Sequence, residues 1–220
     1  LATGAMLKVY VDSSRLYRFN ESLARIQENG RFGLEFIRRD ARMAGFWGCN
    51  HKVSRTYHAN AQDHPSYGSS NITGTNGSDS NEPDSITFLG TGRNVASLKD
   101  DSALNVYSTD DFKSGNVVLI SDCESADIFR VTDVVEADQK ITTVGLSKAY
   151  AAGSRLYSVQ MVTFCIAQGT NSAQPSLRRL VKTTNSQNCA THGDDLVEGI
   201  ENMQILMGED TNPDFDGSVN

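Results

Sequence analysis

Apolar and small residues recur along the first quarter of the chain at helical steps. Leu16, Phe19, Leu23, Ile26, Gly30, Gly33, Ile37, Ala41 and Ala44 stand three or four apart and draw one stripe along an α-helix. Arg15, Arg18, Glu21, Arg25, Glu28, Glu35, Arg38 and Arg42 fill the other side. Glu21 with Arg25 and Glu35 with Arg39 are acid-then-base pairs at i,i+4, each worth ~0.2–0.5 kcal/mol to a helix. The pattern predicts a helix from about Leu7 to Phe46, closed by Phe46-Trp47-Gly48-Cys49. Asn29-Gly30 is also a turn dipeptide, but Phe32, Leu34, Phe36 and Ile37 resume the apolar spacing at once, so one continuous helix is expected. At 1.5 Å per residue it would run roughly 60 Å, longer than a domain of this size is wide. Part of it must protrude or pack on neighbouring subunits, and the chain's own sheet should cover most of the stripe.

The pattern then changes twice. Residues 50–84 are dominated by Gly, Ser, Asn, Asp, His and Thr, and read as a long surface excursion. After Pro83 short apolar runs separated by Gly, Asp, Asn and Ser predict strands near 85–89, 104–107, 117–120, 126–132, 140–146, 155–165 and 177–181. Asp194-Asp195 could cap a short helix over 196–200, with Met203 to Met207 extended after it. One long helix followed by many strands predicts an α+β fold, the N-terminal α-helix packed on an antiparallel β-sheet. The division is 1–49 for the helix and 50–220 for a β-rich head that includes the polar loop 50–84.

Charge and cysteine content narrow the chemistry. Twenty basic against 27 acidic residues give a net charge of −7, which argues against nucleic acid as the main partner. The local cluster Arg38, Arg39 and Arg42 reads as a solvated, salt-bridging face. Cys49, Cys123, Cys165 and Cys189 lack metal-ligand spacing and suggest two disulfides in an oxidising compartment. Three connectivities are open, with Cys49–Cys123 and Cys165–Cys189 favoured because the second closes a hairpin-sized loop. No nucleophile elbow, phosphate loop or zinc-protease motif is present, and no pair of acids stands out, so no enzyme is expected. His51, His58, His64 and Asp63 show no ligand periodicity. Asp210, Asn212, Asp214 and Asp216, followed by Gly217, place oxygen ligands at every second position, as in the first half of a calcium loop. The alternative is an acidic solvent turn. Interface candidates are Arg25, Arg38 and Arg42 on the polar face, the Gly30–Gly33 notch and Trp47; core packing is the other reading of Trp47.

The stretch ARIQENGRFGLEFIRRDARMAGFWGC, Ala24 to Cys49, resembles the amino-terminal region of PilW-type minor pilins of bacterial type IV pili. Nearly every position of R-I-Q-E-N-G-R-F-x-L-x-F-x-x-R-D-x-R-M-A-G-[FY]-x-G-C is met. SLRR at Ser176 to Arg179 and LVEGIENMQILMG at Leu196 to Gly208 are weaker matches. The resemblance implies a pilin-like fold and a non-catalytic subunit that works with other minor pilins and the major pilin. Its expected place is the pilus tip, in priming of assembly, support of an adhesin-like partner, adhesion and twitching motility. It implies location in the inner membrane and periplasm before assembly and in the extracellular pilus afterwards. An upstream hydrophobic half-helix is expected to anchor the subunit, LATGAMLKVYV being its tail, with an expression-tag scar as the alternative for Leu1 to Met6. Acidic loops like that at 210–217 occur at this place in the family, whose chains usually continue past it. A J-type pseudopilin of type II secretion shares the helix and its R-D-x-R ending, and a binding or enzymatic module on a pilin helix is the reading from another class.

Overall fold

A computed structural model describes residues 2–49, 55–79, 81–101, 104–170 and 173–208, without the side chains of 2–7 and 93–95. One unbroken helix, α1 (Ala2–Ala41), precedes the head. The strands are β1 (Arg55–Tyr57), β2 (Ile72–Thr75), β3 (Ser85–Ser97), β4 (Val117–Ser121), β5 (Ala126–Arg130), β6 (Asp133–Val135), β7 (Lys140–Thr142), β8 (Arg155–Gln168), β9 (Pro175–Lys182) and β10 (Asp194–Glu198). A short helix, α2 (Cys189–His192), lies between β9 and β10, and the Asn188 side chain caps it through the Ala190 N–H. Eight strands form one sheet, and β6 and β7 make a separate hairpin.

Strand β8 is the spine of that sheet. Along one edge it pairs with β3; along the other its first residues pair with β4 and its later residues with β9. The sheet continues outward as β4–β5–β1, as β3–β2 and as β9–β10. All pairings are antiparallel except β1 with β5, which is parallel.

The apolar run Val117-Val118-Leu119-Ile120 shows why a continuous hydrophobic strand forms here. Val118 and Ile120 enter one cluster with Leu98, Phe112, Phe129 and Leu156. Val117 and Leu119 enter another on the opposite face, with Trp47, Leu89, Ile128 and Tyr157. A strand covered on both faces needs apolar residues at every position rather than alternation. A third cluster, around Ile86, Phe88, Val162, Phe164, Leu177 and Val197, lies under the end of α1.

This architecture corrects the α+β expectation of a helix packed on an antiparallel sheet. The molecule is mostly β, its sheet is mixed, and among the described residues α1 touches the head through its last turns. Strands bury each other through loops and sheet faces here, so the core is complete without the length of the helix. Three local expectations change too. The helix ends at Ala41 and passes through turns to Gly45, whose φ of 72° and N–H bond to Leu89 O (2.8 Å) redirect the chain. Residues 194–198 are a strand, because Asp194 and Asp195 pair with Arg179 and Arg178 across β9 instead of capping a helix. Gly90 and Gly92 do not end their strand: β3 runs on to Ser97 through bulges. A side chain at Gly90 would sit 2.4 Å from Met43 O, so glycine lets the helix-exit turn lie on the strand.

The polar tract 50–84 supplies both β1 and β2. Asn60 holds it to β5 by main-chain mimicry: its Oδ1 accepts from Arg130 N (3.2 Å) and its Nδ2 donates to Arg130 O (3.1 Å). Ala61, His64 and Ser66 are buried there.

Both disulfides form. Cys49–Cys123 closes a separation of 74 residues and Cys165–Cys189 one of 24. By chain-entropy reasoning they stabilise the fold by roughly 4.5 and 3.5 kcal/mol.

Candidate interaction surface

The apolar stripe of α1 divides into two parts with different surroundings. From Gly33 onward it is seated. A Cβ at Gly33 would lie 3.3 Å from Leu177 Cδ2, so the absence of a side chain lets β9 approach. Phe36, Ile37, Ala41 and Ala44 pack against the cluster of Ile86, Phe88, Phe164, Leu177 and Val197, inside which Phe88 and Phe164 meet edge to face at 6.2 Å. Polar contacts fix the register: Arg179 Nε donates to Asp40 Oδ2 (2.6 Å), and Asn29 Nδ2 donates to Glu198 O (2.9 Å). Both Asp40 and Arg179 are mostly shielded from water, which strengthens their pairing over that of an exposed pair.

Above this seat the stripe is exposed. Leu16 is 61% exposed, Phe19 63% and Ile26 67%, with Leu23 and Phe32 also exposed. Gly30 has open space around it, so the expected notch exists at Gly33 alone. Lys8, Arg15, Arg18 and Arg25 lie on the same exposed stretch of helix, and of these only Arg25 has an acidic partner among the described residues, Glu21 at 2.9 Å. Arg38 pairs with Glu35 at 3.5 Å, in place of the expected Glu35–Arg39 pair, while Arg39 lies over the Phe36 ring. Arg42 is exposed. Trp47 is not at the surface: it is 3% exposed, donates from Nε1 to Asn71 Oδ1 (3.1 Å) and carries the Arg55 guanidinium over its ring. Core packing accounts for it.

Sequence reading did not single out Asp40, Arg179, Asn29 or Leu177 as contacts. A signal for them was present, since Asp40 lies within RRDAR and Arg179 within SLRR. The three stretches that carry the resemblance, Ala24 to Cys49, Ser176 to Arg179 and Leu196 to Gly208, converge on this one seat: Leu196, Val197, Ile200, Met203 and Ile205 join the same cluster. The last stretch is itself pinned across the start of β3, where Asp84 N donates to Met203 O and Ile205 N to Asp84 Oδ2.

The head holds a buried polar cluster around Asp127. The Asp127 carboxylate accepts from Ser147 N (2.7 Å) and Ser147 Oγ (2.7 Å), with His58 Nε2 at 3.3 Å. Burial and the neighbouring Asp127 charge push the Tyr150 hydroxyl up to about 12. Ser147 and His58 both face the carboxylate, an arrangement that ties the loop at 147 to β5. A shallow open hollow of about 630 Å³ lies beside Cys49–Cys123. Among the described residues no three His, Cys, Asp or Glu side chains converge as a metal site would require, and no helix is long and apolar enough to cross a membrane. Asp210, Asn212, Asp214 and Asp216, the calcium candidates, lie outside the described residues, as does His51.

Comparison with protein-family models, with curated proteins and with solved structures finds no match to this chain.

Proposed function

We propose that this chain is a structural, non-catalytic subunit of the PilW-type minor-pilin kind. The observation that carries the reading is the convergence of its three motif-bearing stretches on the seat of α1. Residues far apart in sequence that meet at one joint share one task, holding the helix at a set angle to the head. In this reading the seated end transmits position, and the exposed stripe from Leu16 to Ile26 packs against helices of other minor pilins and the major pilin. Burying one such Leu, Ile or Phe side chain contributes ~1.5–3 kcal/mol, so a handful of them suffices to drive association. The head then supplies lateral contacts and support for a tip adhesin, and the disulfides suit an envelope or extracellular location. The mostly-β head does not follow the helix-on-sheet layout that the resemblance implies, so the reading rests on the helix, its joint and the motifs.

The test is co-purification of the detergent-solubilised protein with the other minor pilins encoded beside it. Recovery of at least one of them, lost with Ile26→Asp, is the expected result. Recovery of none contradicts the proposal.

A further inference from the structure

The two disulfides occupy opposite environments. Cys165 and Cys189 are buried, 8% and 6% exposed, and Cys189 Sγ is packed against the carbonyl oxygens of Thr163 and Arg178 at 3.7 and 3.8 Å. Cys49 and Cys123 are both exposed and form part of the wall of the 630 Å³ hollow, together with Ser121, Ala151, Gly153, Arg155 and others. An attacking thiolate must approach the sulfur along the S–S axis, and the exposed Cys49–Cys123 pair is the more open to such approach.

Three further features favour exchange there. Cys123 holds a φ of 73°, a left-handed conformation that costs a non-glycine residue about 1 kcal/mol or more and that opening the bond would let relax. Ser121 Oγ lies 3.7 Å from Cys49 Sγ, placed to donate its proton toward a thiolate formed on that sulfur. Arg155 stands opposite Ser121 in the strand register, is exposed, and has no acidic partner among the described residues. It lines the same hollow as the two cysteines, where its positive charge favours the thiolate form and so a better leaving group. Two acids flank Cys123 in sequence: Glu124 is exposed, and Asp122 is already engaged, since burial would raise its carboxyl but Lys148 and the N–H groups of Ser125 and Glu124 hold it down to about 2.

We propose that Cys49–Cys123 is a thiol–disulfide exchange site for an external dithiol, while Cys165–Cys189 is permanent. The dithiol's thiolate attacks Cys123 Sγ, the Cys49–Cys123 bond breaks, and Cys49 leaves as a thiolate that takes up a proton. The second thiol of the reductant then attacks its own sulfur in the mixed disulfide, releasing Cys123 as a thiol and closing a disulfide in the reductant. Two electrons pass to the protein, and the reverse sequence forms the bond. The helix-exit turn stays in place without it, because Gly45 N bonds Leu89 O, Thr91 N bonds Phe46 O and Trp47 bonds Asn71. The bond's removable contribution is the tie between Cys49 and the β4–β5 turn, just before edge strand β1.

The folded full chain is titrated with dithiothreitol at fixed pH, quenched with iodoacetamide and mapped by mass spectrometry. Cys49 and Cys123 should become alkylated at reductant concentrations about tenfold or more below those that open Cys165–Cys189. Simultaneous opening, or earlier opening of Cys165–Cys189, overturns the proposal. Arg155→Gln, an exposed and conservative change, should slow opening of Cys49–Cys123 roughly several-fold with an unchanged far-ultraviolet spectrum. An unchanged rate counts against an exchange site and leaves mere exposure.

Discussion

The two ends of α1 carry the same stripe and meet different fates. From Gly33 to Ala41 its apolar positions rest on β9, β10 and the start of β3; from Leu16 to Ile26 the same spacing faces water. The difference lies in what approaches the helix, not in the helix. Gly33 admits Leu177 and Asp40 receives Arg179, whereas Gly30 has nothing beside it. Amphipathic spacing states that a face is to be covered and leaves open what covers it.

If that division is right, changes at the joint should cost stability and changes above it should not. Leu177→Ala removes the side chain against Gly33 and should destabilise the head by ~2–5 kcal/mol in urea unfolding. Asp40→Asn keeps the shape of the joint while weakening the bond to Arg179, and should cost about 1–3 kcal/mol. A loss below 0.5 kcal/mol in both would mean that the joint is only a resting contact.

An effect of similar size follows pH and belongs to the head. Burial, aided by the Arg130 charge, holds the His64 imidazole down to about 4, below its ordinary value of 6.5. The folded state therefore binds fewer protons than the unfolded state between those values. Stability is complete above pH 6.5, declines as pH falls toward 4, and is not lowered further by this group below that. Trp47, the single tryptophan, reports the head by fluorescence in urea titrations at pH 7 and pH 4.5. His64→Gln should shrink the difference between the two midpoints.

Ile26→Ser, on the exposed half, should change monomer stability by less than ~0.5 kcal/mol. A larger loss would show that this half is packed on the head in solution, and the contrast would disappear.

The same contrast marks what could be read from the sequence. Continuity of α1 through Asn29-Gly30 was legible because its spacing never breaks, and most strands after Pro83 because their apolar runs are bounded by turn residues; 104–107, expected as a strand, forms only isolated bridges from Val106 to Leu98 and from Asn105 to Lys140. The edge strands β1 and β2 were not, since Asn60 holds its neighbour through amide hydrogen bonds and Ala61 and Ser66 pack by being small. Hydrophobic periodicity registers neither. Residues 194–198 misled because adjacent aspartates are good helix caps in isolation, while here Asp195 accepts from Ser176 Oγ at 2.7 Å and lies 3.0 Å from Arg178 Nε. The joint itself was half legible: its residues sat within recognisable motifs, but nothing in one sequence says that they touch.

The proposed function requires that the upper half of α1, exposed in this structure, be covered by other subunits. Its most direct test is a photo-crosslinking residue at position 19, compared with one at the exposed head position Tyr107, in cells that assemble the fibre. The account predicts adducts from position 19 to other pilin subunits and few from position 107. Equal yields from both positions, or no pilin adduct from position 19, would contradict it.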